Sequence, residues 1–119
     1  MKKISIIGAG SFGTALAVVL GDKGFQVTVW AREADVTKGI NKNRVNPEYL
    51  TDIELPEQVR ATNSIEEALN DAEMVLFATP THALREVAGK VKPFLTGNEF
   101  VVTVSKGIEK DSFMTPSQI

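Results

Sequence analysis

The sequence contains no cysteine. A disulfide framework and any zinc site built on thiolates are excluded, and a reducing compartment is compatible with the composition. Long apolar runs are missing too, since none approaches the ~20 residues that a helix needs to cross a bilayer. Lys2 and Lys3 precede an apolar stretch, but it is short and enters a glycine turn, so it does not read as a secretory signal. The cytoplasm is therefore the expected location, without membrane insertion. Nor does one sign of charge dominate. The 13 basic and 15 acidic residues leave a formal net charge of −2, and no basic stripe or tract marks a nucleic-acid partner. No internal repeat, low-complexity segment, nucleophile–base pair or metal-ligand cluster is visible. The 119 residues suit one domain with a single core.

What is there begins at once. Ile4, Ile6 and Ile7 form a short apolar run that reads as a buried strand, and Gly8-Ala9-Gly10-Ser11-Phe12-Gly13 follows as a G-x-G-x-x-G turn. Phe12, Ala15, Leu16, Val19 and Leu20 then recur at the spacing of one helix face. Each glycine has its own expected task. Gly8 permits the tight turn, Gly10 lets the backbone approach a diphosphate, and Gly13 lets the helix pack close to the strand. The free N–H groups of the helix's first turn and its dipole favour an anion there. A glycine turn alone is a weak signal; strand before and helix after make dinucleotide binding the favoured reading over a purely structural turn.

Phe25–Trp30 reads as a second strand, with Arg32 and Glu33 just past it, where such a fold meets the adenosine ribose. Arg32 suits a 2′-phosphate and Glu33 the free ribose hydroxyls. Arg32 is taken as the reader of the cofactor, which is then NADP, with NAD as the alternative. The bland reading is an exposed arginine opening the next helix.

Residues 34–58 are the least regular. Val36 and Ile40 share a face of a short helix, Asn41, Asn43 and Asn46-Pro47 break the pattern as turn formers, and Pro56 ends a short apolar piece. A loop this long is usually functional or packed on itself. Tyr49 is its one aromatic, read either as packing or as a contact to cofactor or substrate domain.

Order returns with a short strand, Val59–Thr62. Ser64 and Glu67 form a capping box, S-x-x-E, for a short helix with Ile65, Ala68 and Leu69 on its apolar face. Met74–Ala78 is a nearly continuous apolar run, as in a strand covered on both faces. Thr79-Pro80-Thr81 breaks it, and Leu84, Val87, Ala88 and Val91 stripe a further helix that Pro93 stops. Phe100–Val104 reads as another buried strand. The alternation predicts a Rossmann-like α/β fold: a doubly wound parallel sheet in three layers, α/β/α, with strand order third, second, first, fourth, fifth. That order brings Gly8–Gly13, Ala78–Thr81 and Ser105–Glu109 to one crevice.

Lys106 lies two residues past the last strand, where an ammonium group could hold a substrate phosphate or carbonyl oxygen; the alternative is a solvated loop lysine. His82, the only histidine, follows Pro80 near the same crevice and reads more simply as an exposed first-turn residue than as an acid/base. Pro80 shapes the backbone beside the nicotinamide ring. Trp30 reads as packing at a strand end.

Gly8-Ala9-Gly10-Ser11-Phe12-Gly13-Thr14-Ala15, Trp30-x-Arg32, Asn46-Pro47-x-Tyr49-Leu50 before Leu55-Pro56, Ala61-Thr62 and Ser105-Lys106-Gly107-Ile108-Glu109 together resemble bacterial NAD(P)-dependent glycerol-3-phosphate dehydrogenase. The resemblance runs from end to end of the chain. It implies reversible hydride transfer between the nicotinamide and dihydroxyacetone phosphate, giving sn-glycerol 3-phosphate for glycerophospholipid synthesis. It implies, too, that Ser11 and Phe12 touch the cofactor, Arg32 reads its adenosine end, and Lys106 contacts cofactor and substrate. The family enzyme is more than twice as long, with its proton-donating lysine in a helical C-terminal domain. The expectation is therefore that residues 1–119 are the cofactor-binding half, binding dinucleotide weakly without turnover; the sequence is silent on oligomeric state, and a homodimer of the full-length enzyme is one alternative. Competing readings are a dehydrogenase of similar build, of 3-hydroxyacyl-CoA or ketopantoate type, and a non-catalytic NAD(P)-sensing module.

Overall fold

The computed structural model describes residues 3–48, 52–79, 81–97 and 99–103. Five short strands, β1 (Lys3–Ile7), β2 (Gln26–Trp30), β3 (Val59–Thr62), β4 (Met74–Phe77) and β5 (Phe100–Thr103), form one sheet. All its pairings are parallel, in the order β3-β2-β1-β4-β5 that the alternating pattern predicts. The crossovers carry α1 (Ser11–Asp22), α2 (Ala34–Lys38), α3 (Ile65–Leu69) and α4 (Thr81–Val91).

The pleat sorts the core into two layers. Ile4, Ile6, Val27, Val29, Val59, Ala61 and Leu76 pack with Ala17, Val36 and Ile40 on the face covered by α1 and α2. Ile7, Trp30, Val75 and Phe77 pack with Ala68, Leu69, Leu84, Val87 and Val91 on the opposite face, beneath α3 and α4. Both faces of the central strands are thus covered, which is why they read as nearly unbroken apolar runs. Val36 and Ile40, expected on one face of a short helix, are both buried on the α1 and α2 side, although α2 stops at Lys38 and Ile40 lies in a π-helical turn, Gly39–Asn43, that continues it.

Three local expectations need correction. The stripe of Phe12, Ala15, Leu16, Val19 and Leu20 is buried only in part: Leu16 and Leu20 pack half-buried against the core, but its other large residues stand out. Phe12 is 54% exposed and Val19 50%, whereas Gly13, Thr14, Ala17 and Gly21 are buried. Small residues face the sheet because the helix lies too close for large ones: a Cβ on Gly21 would stand 3.0 Å from Val59 Cγ2. Secondly, the last strand is not buried. Phe100 is 73% exposed, and Val101 and Val102 are exposed beside it, because β5 pairs only with β4 and neither core layer extends over its faces among the described residues. Thirdly, the capping box closes indirectly. Ser64 Oγ accepts from Glu67 N at 3.2 Å, but Ser64 N donates to Thr62 Oγ1, which itself donates to Glu67 Oε2. The threonine at the end of β3 relays the return bond.

Candidate functional site

The carboxyl ends of β1 and β4 meet at the glycine turn. Gly8 holds φ +124°, a left-handed value open to glycine, and a Cβ there would lie 2.9 Å from the carbonyl oxygen of Ala78. Thr79 Oγ1 donates to Ile7 O at 2.8 Å, stitching the end of β4 to the end of β1. On the other side, Gly8 N donates to Trp30 O at 3.0 Å. A Cβ on Gly13 would collide with the carbonyl oxygen of Gly8 and stand 3.2 Å from Ala78 Cβ. The first and third glycines are thus fixed by contacts within the chain.

Gly10 is different. A Cβ there would meet nothing within 4 Å, so the space above it is open. It is the N-cap of α1 and offers no side-chain cap; no acidic residue stands in the first turn. The leading N–H groups of a 12-residue helix are left for an external acceptor, and the dipole favours a negative one. An open approach at Gly10 beside uncapped amides fits a diphosphate.

Arg32 lies one residue past buried Ala31 at the end of β2 and is exposed. The backbone around it is pinned by Asn63, whose Nδ2 donates to Ala31 O at 2.9 Å and to Glu33 O at 3.1 Å. Trp30 Nε1 donates in turn to Asn63 O at 3.0 Å, so its ring is packed and tethered. Arg32 does not stand in a purely basic setting. The negative charge of Asp35, then desolvation, then Glu33 hold the Glu48 carboxyl above its ordinary range.

Asn46 is the residue that sequence reasoning missed. Read as a turn former, it is fully buried, and Nδ2 donates to Ala9 O and to Thr14 Oγ1, each at 2.9 Å. Its Oδ1 accepts from Glu48 N at 3.0 Å, a local Asx turn that the Asn-Pro pair does signal. The irregular segment is therefore packed against the glycine turn. Arg44 anchors its base from a left-handed backbone (φ 61°), its guanidinium donating to Ile40 O, Pro56 O and Val59 O. Asn41 makes a two-way amide pair with Ala61.

A polar cavity of about 520 Å³ lies apart from this mouth, lined by Lys3, Thr28, Arg60, Glu67 and Asn70 among others. Of the residues singled out in the sequence, Gly8, Gly10, Ser11, Phe12 and Gly13 come together at one turn, with Ala78 and Thr79 behind it, and Arg32 lies at the end of the neighbouring strand. Tyr49, Pro80 and Lys106 lie outside the described residues, as does the Ser105–Glu109 segment. His82 falls in the first turn of α4.

These features define a doubly wound α/β domain whose first helix starts uncapped beside open space at Gly10. More narrowly, the chain belongs to the family described as NAD-dependent glycerol-3-phosphate dehydrogenase N-terminus, whose model matches residues 3–119. It is 45% identical over its whole length to glycerol-3-phosphate dehydrogenase [NAD(P)+] of Bacillus subtilis, covering 34% of that protein. It is 48% identical over 97% of its length to the enzyme of the same name from Myxococcus xanthus, again covering 34% of it. The crystal structure of glycerol-3-phosphate dehydrogenase from Coxiella burnetii superposes with a TM-score of 0.90 at 32% identity, over 98% of this chain and 36% of that one. The chain thus spans about a third of the length of the curated relatives it matches. Among the described residues, no helix is long and apolar enough to cross a membrane.

Proposed function

We propose that this chain is the cofactor-binding half of an NAD(P)-dependent glycerol-3-phosphate dehydrogenase, interconverting dihydroxyacetone phosphate and sn-glycerol 3-phosphate in the cytoplasm. The observation that carries the reading is the uncapped start of α1 beside the open space at Gly10, in a chain whose relatives carry that enzyme's name. A dinucleotide held there would supply the hydride for the carbonyl carbon. Everything else asked of this chain is holding and orienting.

Gly8, Gly10 and Gly13 shape the turn, and the amides of Ser11, Phe12 and Gly13 receive the diphosphate. Phe12, standing out from the helix, would pack against the cofactor. Arg32 meets the adenosine end and, through a charge-assisted hydrogen bond, favours NADP over NAD. By the resemblance of their motifs, Tyr49 and Pro80 would border the cofactor, and Lys106 would contact both cofactor and substrate oxygen. No residue of this chain is assigned the proton transfer, which falls to a lysine in a helical domain that the threefold greater length of the relatives leaves room for. The full-length enzyme is read as a homodimer.

The test is a titration of the chain with NADPH and NADH, followed by the fluorescence of Trp30, the only tryptophan. Saturable binding of both, tighter for NADPH, with no oxidation of NADPH on adding dihydroxyacetone phosphate, is the expected result. Absence of binding by either dinucleotide would overturn the reading.

A further inference from the structure

We infer that Asn46 is a positioning residue for the dinucleotide, and that it acts by locking the Ala9–Gly10 peptide plane. The inference rests on the proposed dinucleotide reading and adds to it a residue 37 positions away from the glycine turn.

The bonds leave little freedom. Ala9 O receives two donors, Asn46 Nδ2 at 2.9 Å and Thr14 Oγ1 at 3.2 Å. Thr14 Oγ1 spends its proton on Ala9 O and accepts from the second hydrogen of Asn46 Nδ2. Glu48 N–H occupies Asn46 Oδ1, which fixes which end of the amide faces the turn. Both Asn46 and Thr14 are buried, so water does not compete for these bonds. A trans peptide is planar with its C=O and N–H pointing opposite ways. Two donors drawing the Ala9 carbonyl inward therefore aim the Gly10 N–H away from that buried pair, at a residue whose Cβ direction is open as well.

The lock is joined to the edge of the sheet. Arg44, two residues before Asn46, is tied through its guanidinium to Val59 O in β3, and Leu55 N donates to Arg44 O at 2.6 Å. Pro47 follows directly, its ring seated so closely on Gly39 that a Cβ there would lie 2.6 Å from Pro47 Cδ. The segment enters and leaves Asn46 under constraint, so the amide arrives already oriented. In the free protein, the cost of ordering the phosphate-facing peptide is already met, which raises affinity without a new contact.

Asn46→Asp separates this from mere packing. It keeps volume and the bond from Glu48 N, but sets a carboxylate oxygen against Ala9 O where a donor stood. Thr14→Val removes the hydroxyl at equal size, and Thr14→Ser keeps it. The 15N-labelled chain is titrated with ADP-ribose and with NADPH, at a temperature where every variant is folded, reading Trp30 fluorescence and the Gly10 amide resonance. Asn46→Asp and Thr14→Val should each weaken both ligands by about tenfold, with the Gly10 resonance displaced before ligand is added. Thr14→Ser should restore both. Should Asn46→Asp fail to fold, the Val and Ser variants at Thr14 decide alone. Wild-type affinity and an unmoved Gly10 resonance in the folded variants would overturn the lock while leaving the dinucleotide reading intact. A wild-type chain that binds neither ligand overturns that reading, and the lock with it.

Discussion

Adding one methyl group at two helical glycines should have opposite effects on this chain. Gly13 lies in the first turn of α1, and Gly89 in the body of α4. In a helix, alanine is ordinarily preferred to glycine by about 1 kcal/mol. At Gly89 a Cβ would meet nothing within 4 Å, so Gly89→Ala should be worth most of that, about 0.8 kcal/mol of added stability. At Gly13 the methyl would overlap the carbonyl oxygen of Gly8, lie 3.1 Å from its carbonyl carbon and press on Ala78 Cβ. Two of those three atoms are backbone, held by β1 and by the bond from Gly8 N to Trp30 O, so neither can swing aside. Relief requires α1 to retreat from the sheet, loosening Ala17 and Gly21, which are buried behind it. Overpacking of this kind costs up to about 3 kcal/mol, which leaves Gly13→Ala a net loss of roughly 2 kcal/mol after its helix preference is credited. Urea unfolding followed by Trp30 fluorescence should show the two midpoints move apart at unchanged slope. Equal shifts in the same direction would refute the close helix–strand approach, and with it the reason for glycine at this position.

Four further outcomes can be measured. Arg32→Ala should weaken NADPH by about 1.5 kcal/mol, the low end for a charged hydrogen bond because the side chain is exposed, and leave NADH nearly unchanged in a calorimetric titration. Ser64→Ala, which removes the acceptor for Glu67 N, should cost about 1 kcal/mol in thermal or urea unfolding. The Glu99 carboxylate accepts from Thr96 N and Gly97 N, which hold its pKa below the ordinary value. Its stabilisation is present at neutral pH and lost as pH falls through the lowered pKa, so Glu99→Gln should destabilise at pH 7 and converge with wild type in acid. Glu48→Gln should do the reverse, stabilising at pH 7 because Asp35 and Glu33 oppose its charge, with the difference vanishing below the ordinary carboxylate pKa.

The sheet order was legible because it follows from strand–helix alternation and the hand of crossovers, neither of which depends on any one side chain. The glycine turn was legible for a similar reason: Gly8, Gly10 and Gly13 answer local steric demands at fixed offsets. The buried face of α1 was not. A hydrophobic stripe ranks Phe12 and Val19 above Gly13, Thr14 and Ala17, yet the distance to the sheet selects the small ones. Asn46 shows a limit of another kind. Its Asx turn to Glu48 is visible in the Asn-Pro pair, but nothing near it announces that the other end of the same amide meets Ala9 and Thr14. The strand character of Phe100–Thr103 was readable; its exposure was not, since apolar composition does not reveal whether other elements cover a strand's two faces.

The seam between β1 and β4 also sets a timetable. The opening turn leaves the ribosome first, yet the threonine that ties down Ile7 comes 72 residues later. At about 5–20 residues per second, that backing is absent for roughly 4–14 s of synthesis. Until then Ile6 and Ile7 can pair with Val29 and Trp30 but lack Leu76 and Phe77, and one edge of β1 stays open to chaperones or to mispairing. A strand at the centre of the sheet thus waits for its second neighbour long after it has met its first.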